Sequence, residues 1–216
     1  NRAAPSEALA AMVAKLDELP APIPAIFMIG IRTGARAEDL HALLFDCLRP
    51  DPHDNRFMLF KFWQNKVSRW NTKPLLVSDP AHQAMIELIE TQRERVRQRY
   101  GRATKYLFPV FYGKRESFLG CNWTLQELKM LCLRHGIVDG EGKPLDFSWH
   151  PLRHDRGTQM AAEGHDILSI MFELGHASPD MASMYVNKRL ELKKNALLRK
   201  GGGQYFTIAG KVDEAV

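Results

Sequence analysis

The stretch that decides the fold runs from His150 to Tyr185 and reads HPLRHDRGTQMAAEGHDILSIMFELGHASPDMASMY. Pro151 suits the first position of a helix, which puts His150 at the cap. Arg153 and His154 then fall within the first turn, where backbone N–H groups without intrahelical partners favour an anion. Downstream, Asp166 caps a second helix whose Ile167, Ile170, Met171 and Leu174 recur at helical spacing and form one buried stripe. Gly175 stops that helix and leaves His176 just past its end. Ser178 and Pro179 supply a cap and a first-turn proline for a third short helix, which carries Tyr185. Taken singly, a histidine or tyrosine at a helix end is an ordinary structural or surface residue. Here three short, sharply punctuated helices deliver two histidines, an arginine and a tyrosine together.

That sequence of motifs, H-x-x-R, then L-G-H, then a tyrosine nine positions on, resembles the active-site segment of the tyrosine recombinases, the phage integrase family. The likeness continues between the motifs through Thr158 and GHDILSIMFELGH. Upstream, TGARAEDL resembles the family's first arginine motif, with Arg36 as its arginine and Asp39 where the family usually has glutamate. Read alone, Arg36 is a surface arginine; beside the downstream segment it becomes a candidate for the site.

The rest of the chain surrounds these motifs with a helical frame. Ser6 caps a helix expected to reach Leu19, with Leu9, Met12, Val13 and Leu16 inward, and Pro20, Pro22 and Pro24 end it. The apolar segment AIFMIGI leads to Gly34, which breaks the helix before Arg36. From Leu44 to Val77 the pattern changes to short strands, LLFDCL, FMLFKFW and KPLLV, which predict a three-stranded antiparallel sheet. Lys66 falls in the turn between the second and third of these. Asp79 and Pro80 open a long helix to Tyr100, stopped by Gly101, whose arginines Arg93, Arg95, Arg97 and Arg99 spread around a solvated surface. Thr124 and Glu127 form a capping box for a helix that stops at Gly136. After Tyr185, NKRLELKKNALLRK looks helical and basic. Gly201, Gly202 and Gly203 make a flexible joint before QYFTIAG, a short strand expected to add to a sheet edge or a groove, of the same molecule or of a neighbouring protomer.

The fold class expected is thus mainly α (α+β): a helical catalytic domain of the tyrosine recombinase type with a small three-stranded antiparallel sheet. Residues 1–200 form the expected catalytic domain and 201–216 a detachable tail. The chain begins at Asn1 and is expected to be a fragment of a longer protein, lacking the N-terminal domain with which family members usually clamp the other face of DNA.

Composition sets wide bounds. The chain has 216 residues, is 45% hydrophobic and carries a formal net charge of +5, a modest excess that suits a polyanionic partner without specifying one. Cys47, Cys121 and Cys132 are odd in number and widely spaced, which argues for free thiols in a reducing compartment and against a zinc cage. No apolar run approaches the roughly 18 residues that read as a membrane span, and no signal peptide opens the chain. A cytoplasmic, nucleoid-associated or mobile-element protein is expected.

The resemblance implies a role for each candidate. Tyr185 is the nucleophile, with a phenol whose reference pKa of about 10 calls for help in losing its proton. Arg36 and Arg153 grip the non-bridging phosphate oxygens, where a planar, permanently charged fork outperforms lysine. His150 and His176 hydrogen-bond the phosphate and assist proton movement, and Lys66 protonates the departing 5′ hydroxyl. Arg69 and Lys73 are further candidate phosphate contacts. No cofactor or metal is implied, because the arginines supply the charge and no carboxylate cluster adjoins them. The implied partner is a double-stranded DNA site, bound by a homo-oligomer, a tetramer in this family. The implied function is site-specific recombination through a 3′-phosphotyrosyl intermediate without ATP. The alternatives are type IB topoisomerase-like relaxation and a non-catalytic DNA-binding relative.

Overall fold

The computed structural model describes residues 6–174 together with the short strands at 205–206 and 212–213. The expected helix through Leu19 is shorter: α1 spans Ser6–Val13, and a separate 3₁₀ turn at Leu16–Glu18 completes the segment. Met12 and Leu16 are both buried, so the kink keeps the apolar stripe on the core while the backbone changes course. The proline cluster also initiates a helix, because Pro22 is the N-cap of α2 (Ile23–Thr33) and Pro24 lies in its first turn.

Helix α2 is the centre of the domain. Ile23, Ile26, Phe27 and Ile29 are fully buried, and Phe27 meets Phe147 and Trp149 with ring centroids 5.7 and 6.4 Å apart. Gly34 ends α2 in the left-handed conformation (φ 60°), and the short α3 (Ala37–His41) follows. This reversal brings Arg36 back beside the C-terminal end of α2.

The three-stranded antiparallel sheet is present in the order β1 (Leu48–Pro50), β2 (Phe57–Gln64), β3 (Arg69–Leu76). Its register pairs Lys61 with Thr72, Trp63 with Trp70 and Gln64 with Arg69. Alternation along β2 buries Phe60, Phe62 and Gln64 and exposes Lys61 and Trp63. The first strand begins later than LLFDCL suggests, because Phe45 and Leu107 bond elsewhere: Phe45 N–H donates to Lys105 O, and Leu107 N–H to Leu43 O. The carbonyls of Phe45 and Leu48 are instead satisfied by Arg93, from Nε and Nη2 at 2.7 Å each. Arg93 is therefore a buried strut, not part of a solvated helix face.

Helix α4 (Pro80–Tyr100) matches expectation, with Asp79 capping His82 N–H at 2.9 Å and Gly101 left-handed at its end. A hairpin passed over in the sequence follows, β4 (Pro109–Tyr112) and β5 (Arg115–Phe118), turned at Gly113. Helix α5 (Cys121–Arg134) starts earlier than the proposed capping box. Gly120 is its N-cap, and Thr124 lies inside it, fully buried, where its hydroxyl meets Cys121 O at 2.9 Å and His41 Nε2 at 2.7 Å.

Helix α6 (His150–Glu163) starts one residue before the position foreseen, with Trp149 at its N-cap. Asp166 accepts from Ser169 N–H at 2.9 Å and so caps α7 (Ile167–Leu174). Ile170 and Leu174 close a small second core against Met160 and Ala161 of α6. Tyr205–Phe206 (β6) pairs with Val212–Asp213 (β7) as a separate two-stranded sheet. His176 and Tyr185 lie outside the described residues, as do the basic segment and the glycine joint.

Candidate active site

Three separate segments converge on one open cleft of about 590 Å³. Arg36 and Asp39 come from the N-cap and first turn of α3, Asn65 and Lys66 from the β2–β3 connection, and Trp149, His150 and Arg153 from the start of α6. Four of the six residues proposed for catalysis thus share a wall, although the chain separates them by up to 117 positions (Arg36 to Arg153). Lys66 sits in a 3₁₀ turn (Asn65–Val67) that ends at Ser68 in the left-handed conformation.

The two arginines are held differently. Arg153 is buried, and its Nη1 donates to Gly34 O at 3.0 Å, which ties α6 to the turn that carries Arg36. Arg36 Nη1 lies 3.9 Å from Asp39 Oδ2, within ion-pair range but beyond a hydrogen bond, and has no hydrogen-bond partner among the described residues. A buried guanidinium N–H in that state holds donor capacity in reserve for an anion.

Asp39 fixes the other side of the cleft. Its Oδ1 accepts Asn65 N–H at 3.0 Å, so the carboxylate beside Arg36 also anchors the turn that carries Lys66. Burial pushes the Asp39 carboxyl above the usual range, against the opposing pull of the Asn65 hydrogen bond and of Arg36 and Arg153. His150 is pushed down, first by burial and then by the charges of Arg153, Arg36 and Lys66. It is therefore biased toward the neutral form, the one able to accept a proton. His150 Nε2 lies 2.9 Å from His154 Nε2, with the two rings edge to face.

Asn65 and Trp149 also line the cleft, and neither was singled out in the sequence. Their adjacency to Lys66 and His150 was the available signal. Arg69 stands at the start of β3, with its Nε 3.5 Å from Gln64 Oε1, away from the cleft lining. Lys73 is not placed to meet a phosphate. It is buried on the inner face of β3, where Nζ donates to Thr33 O at 3.0 Å and pairs with Glu173 of α7 at 2.9 Å. Burial lowers its pKa, against the attraction of Glu173. Arg156 of α6 approaches the same carboxylate at 3.8 Å. Gln64 and Asn71 donate at 3.5 Å to the carbonyls of Leu174 and Phe172, so the hairpin that bears Lys66 is clamped to the end of α7.

A mainly helical domain, with a small antiparallel sheet whose turn lysine faces two arginines and a helix-end histidine, is the architecture of a tyrosine recombinase catalytic domain. The chain belongs to the phage integrase family, whose model matches residues 4–191. It is 31% identical over 183 residues to transposase B from transposon Tn554 of Staphylococcus aureus strain Mu50, a match that covers 83% of this chain and 27% of that protein. Among solved structures, XerH site-specific recombinase bound to a palindromic difH substrate superposes with a TM-score of 0.66 at 17% identity, over 92% of this chain and 53% of XerH. A lambda integrase dimer bound to a COC′ core site gives 0.61 at 17% identity, over 85% of this chain and 47% of the integrase. The catalytic domain of bacteriophage HP1 integrase gives 0.54 at 20% identity, over 94% of this chain and 99% of that domain. The chain thus spans about a quarter of the transposase and about half of XerH. Among the described residues, no helix is long and apolar enough to cross a membrane.

Proposed function

We propose that this chain is the catalytic domain of a site-specific DNA recombinase of the transposon or integrase type, which cuts and rejoins strands through a 3′-phosphotyrosyl link. The observation that carries the reading is the convergence of Arg36, Lys66, His150 and Arg153 on one cleft from three distant segments. Residues 1–200 would form the catalytic unit and 201–216 a tail. The substrate would be a double-stranded DNA site in the bacterial cytoplasm, engaged by a homotetramer.

In this mechanism the Tyr185 oxygen attacks the scissile phosphorus, and the bond from phosphorus to the 5′ oxygen breaks. Arg36 and Arg153 take the non-bridging oxygens, where fixed donors stabilise the charge that develops in the transition state. Arg36 is suited to this because its buried Nη1 lacks a competing hydrogen bond among the described residues. His150, whose pKa is lowered by burial and then by its cationic neighbours, accepts the phenolic proton. Lys66 gives a proton to the leaving 5′ oxygen, and His176 hydrogen-bonds the phosphate. A 5′ hydroxyl from another strand then reverses the sequence without ATP.

The test is a nicked duplex that loses its 5′ end after cleavage and so traps the covalent adduct. The parent chain should form adduct and Tyr185→Phe should form none while still binding the duplex; adduct in that variant would place the nucleophile elsewhere. With a 5′-phosphorothiolate substrate, whose sulfur leaves without a proton, Lys66→Ala should recover cleavage and Arg69→Ala should show no such rescue. Absence of rescue for Lys66→Ala would remove it as the general acid.

A further inference from the structure

The 2.9 Å contact between His150 Nε2 and His154 Nε2 has a definite chemical consequence. Two imidazole nitrogens at that distance share one proton: one donates N–H and the other accepts it. Two protons would set N–H against N–H, and none would set lone pair against lone pair. The pair therefore titrates as a unit. With Nε2 committed to His154, Nδ1 is the His150 nitrogen left for chemistry in the cleft that His150 lines.

We propose that His154 is the second half of a proton relay: as His150 Nδ1 takes the Tyr185 phenolic proton, His150 Nε2 passes its own proton to His154 Nε2. This rests on the recombinase reading given above. The bookkeeping of the step is complete. The phenol loses one proton, His150 gains one at Nδ1 and loses one at Nε2, and His154 ends as the imidazolium. Strand joining runs the same transfers backwards and returns the proton to the tyrosine as it leaves phosphorus.

Electrostatics explains why a second ring is useful. Among the described residues, the charges that add to burial in lowering the His150 pKa are cations from three segments: Arg153 on its own helix, Arg36 from the turn into α3, and Lys66 from the β2–β3 turn. A protonated His150 would add a further positive charge to this group. His154 lies one helical turn along α6 and outside the cleft lining, whereas His150 lines the cleft with Arg36, Lys66 and Arg153. Two carboxylates line the cleft, Glu38 and Asp39, and Asp39 is committed to Asn65 N–H and to the Arg36 pair.

His154 acts through His150, and its role is that of a positioning and proton-storing residue. The experiment is the rate of adduct formation on the nicked duplex as a function of pH, for the whole chain and for His154→Gln, an amide that can still hydrogen-bond His150 and cannot take a proton. General-base assistance is worth roughly 10² to 10⁴ in rate, and His154→Gln should lose about 10-fold or more of it at the plateau. The acid limb of the profile should move to lower pH, because sharing a proton raises the proton affinity of the pair. Combining it with His150→Gln should give a rate no slower than His150→Gln alone. An unmoved acid limb, or additive losses in the double variant, would overturn the relay. Duplex binding measured in parallel reports folding, and His154→Asn is read the same way should the glutamine variant fail to bind. A parent chain that forms no adduct, or a Tyr185→Phe variant that does, would overturn the recombinase reading and the relay with it. A normal parent with an unmoved limb in His154→Gln would overturn the relay alone.

Discussion

Replacing Gly34 with alanine should damage this domain more than the same change at Gly101 or Gly136, which also follow helices. Gly34 has φ 60°, and a Cβ there would stand 2.9 Å from Leu174 Cδ2 and 3.2 Å from Arg156 Cβ. The left-handed backbone costs an L-residue about 1–2 kcal/mol. The contact adds to this, because Leu174 is 1% exposed and cannot swing away, and Arg156 Cβ is fixed by the α6 backbone. Overpacking of this kind costs about 1–3 kcal/mol. The sum is about 2–5 kcal/mol, which at a urea slope near 2 kcal/mol/M lowers the unfolding midpoint by about 1 M or more. Gly101 is the internal reference, since it has a similar φ of 67° with nothing within 4 Å of a built Cβ. Gly101→Ala isolates the backbone penalty, and the difference between the two variants measures the contact. Equal midpoint shifts in urea denaturation would show that α7 and α6 do not press on this turn. Adduct formation should also fall in Gly34→Ala and not in Gly101→Ala, because Arg36 lies two residues beyond the strained position.

Three further outcomes are expected. Lys73→Met should destabilise the chain by about 2–3 kcal/mol in chemical denaturation, less than the roughly 3–5 of a fully buried pair because Glu173 is 24% exposed, and adding Glu173→Leu should recover most of the loss. The folded state favours protonated Asp39, so its stabilising contribution is present below the ordinary carboxylate pKa of about 3.9 and is lost as pH rises through the raised folded value. Asp39→Asn should therefore gain stability relative to the parent as pH rises above about 4, while adduct formation slows; a parallel pH dependence for the two chains would refute the assignment. Burial pushes the Cys47 thiol up to about 12 and Cys132 to about 11, so iodoacetamide should label the native chain at partly exposed Cys121 and reach the other two only on unfolding.

The sequence showed the fold best where local chemistry leaves the chain no choice. Gly34 and Gly101 stop helices because only glycine takes the left-handed turn without strain, and Asp79–Pro80 starts one because the cap and the fixed φ act within a single turn. The four cleft residues were legible through their motifs, while the convergence that gives them meaning was not. Side chains whose partners lie far along the chain were misread. Arg93 reaches back 48 positions to Phe45 O, and Thr124 sits 83 positions from His41. Lys73 looked like a spare cation because its partner Glu173 belongs to an element 100 residues later. A polar residue carries no local mark of whether it faces water or a partner supplied by tertiary contact. The β4–β5 hairpin was missed for a related reason, since four-residue strands give too few alternations to stand out.

The clamp between the β2–β3 hairpin and α7 has a mechanical side. Gln64, Asn71 and Lys73 reach three consecutive residues of the last turn of α7, at Leu174 O, Phe172 O and Glu173 Oε1. The ion pair at their centre opposes separation of the two elements, because parting it would leave the buried Lys73 charge without its partner. The same hairpin carries Lys66 in its turn, so the last turn of α7 and the proposed general acid are braced within one unit.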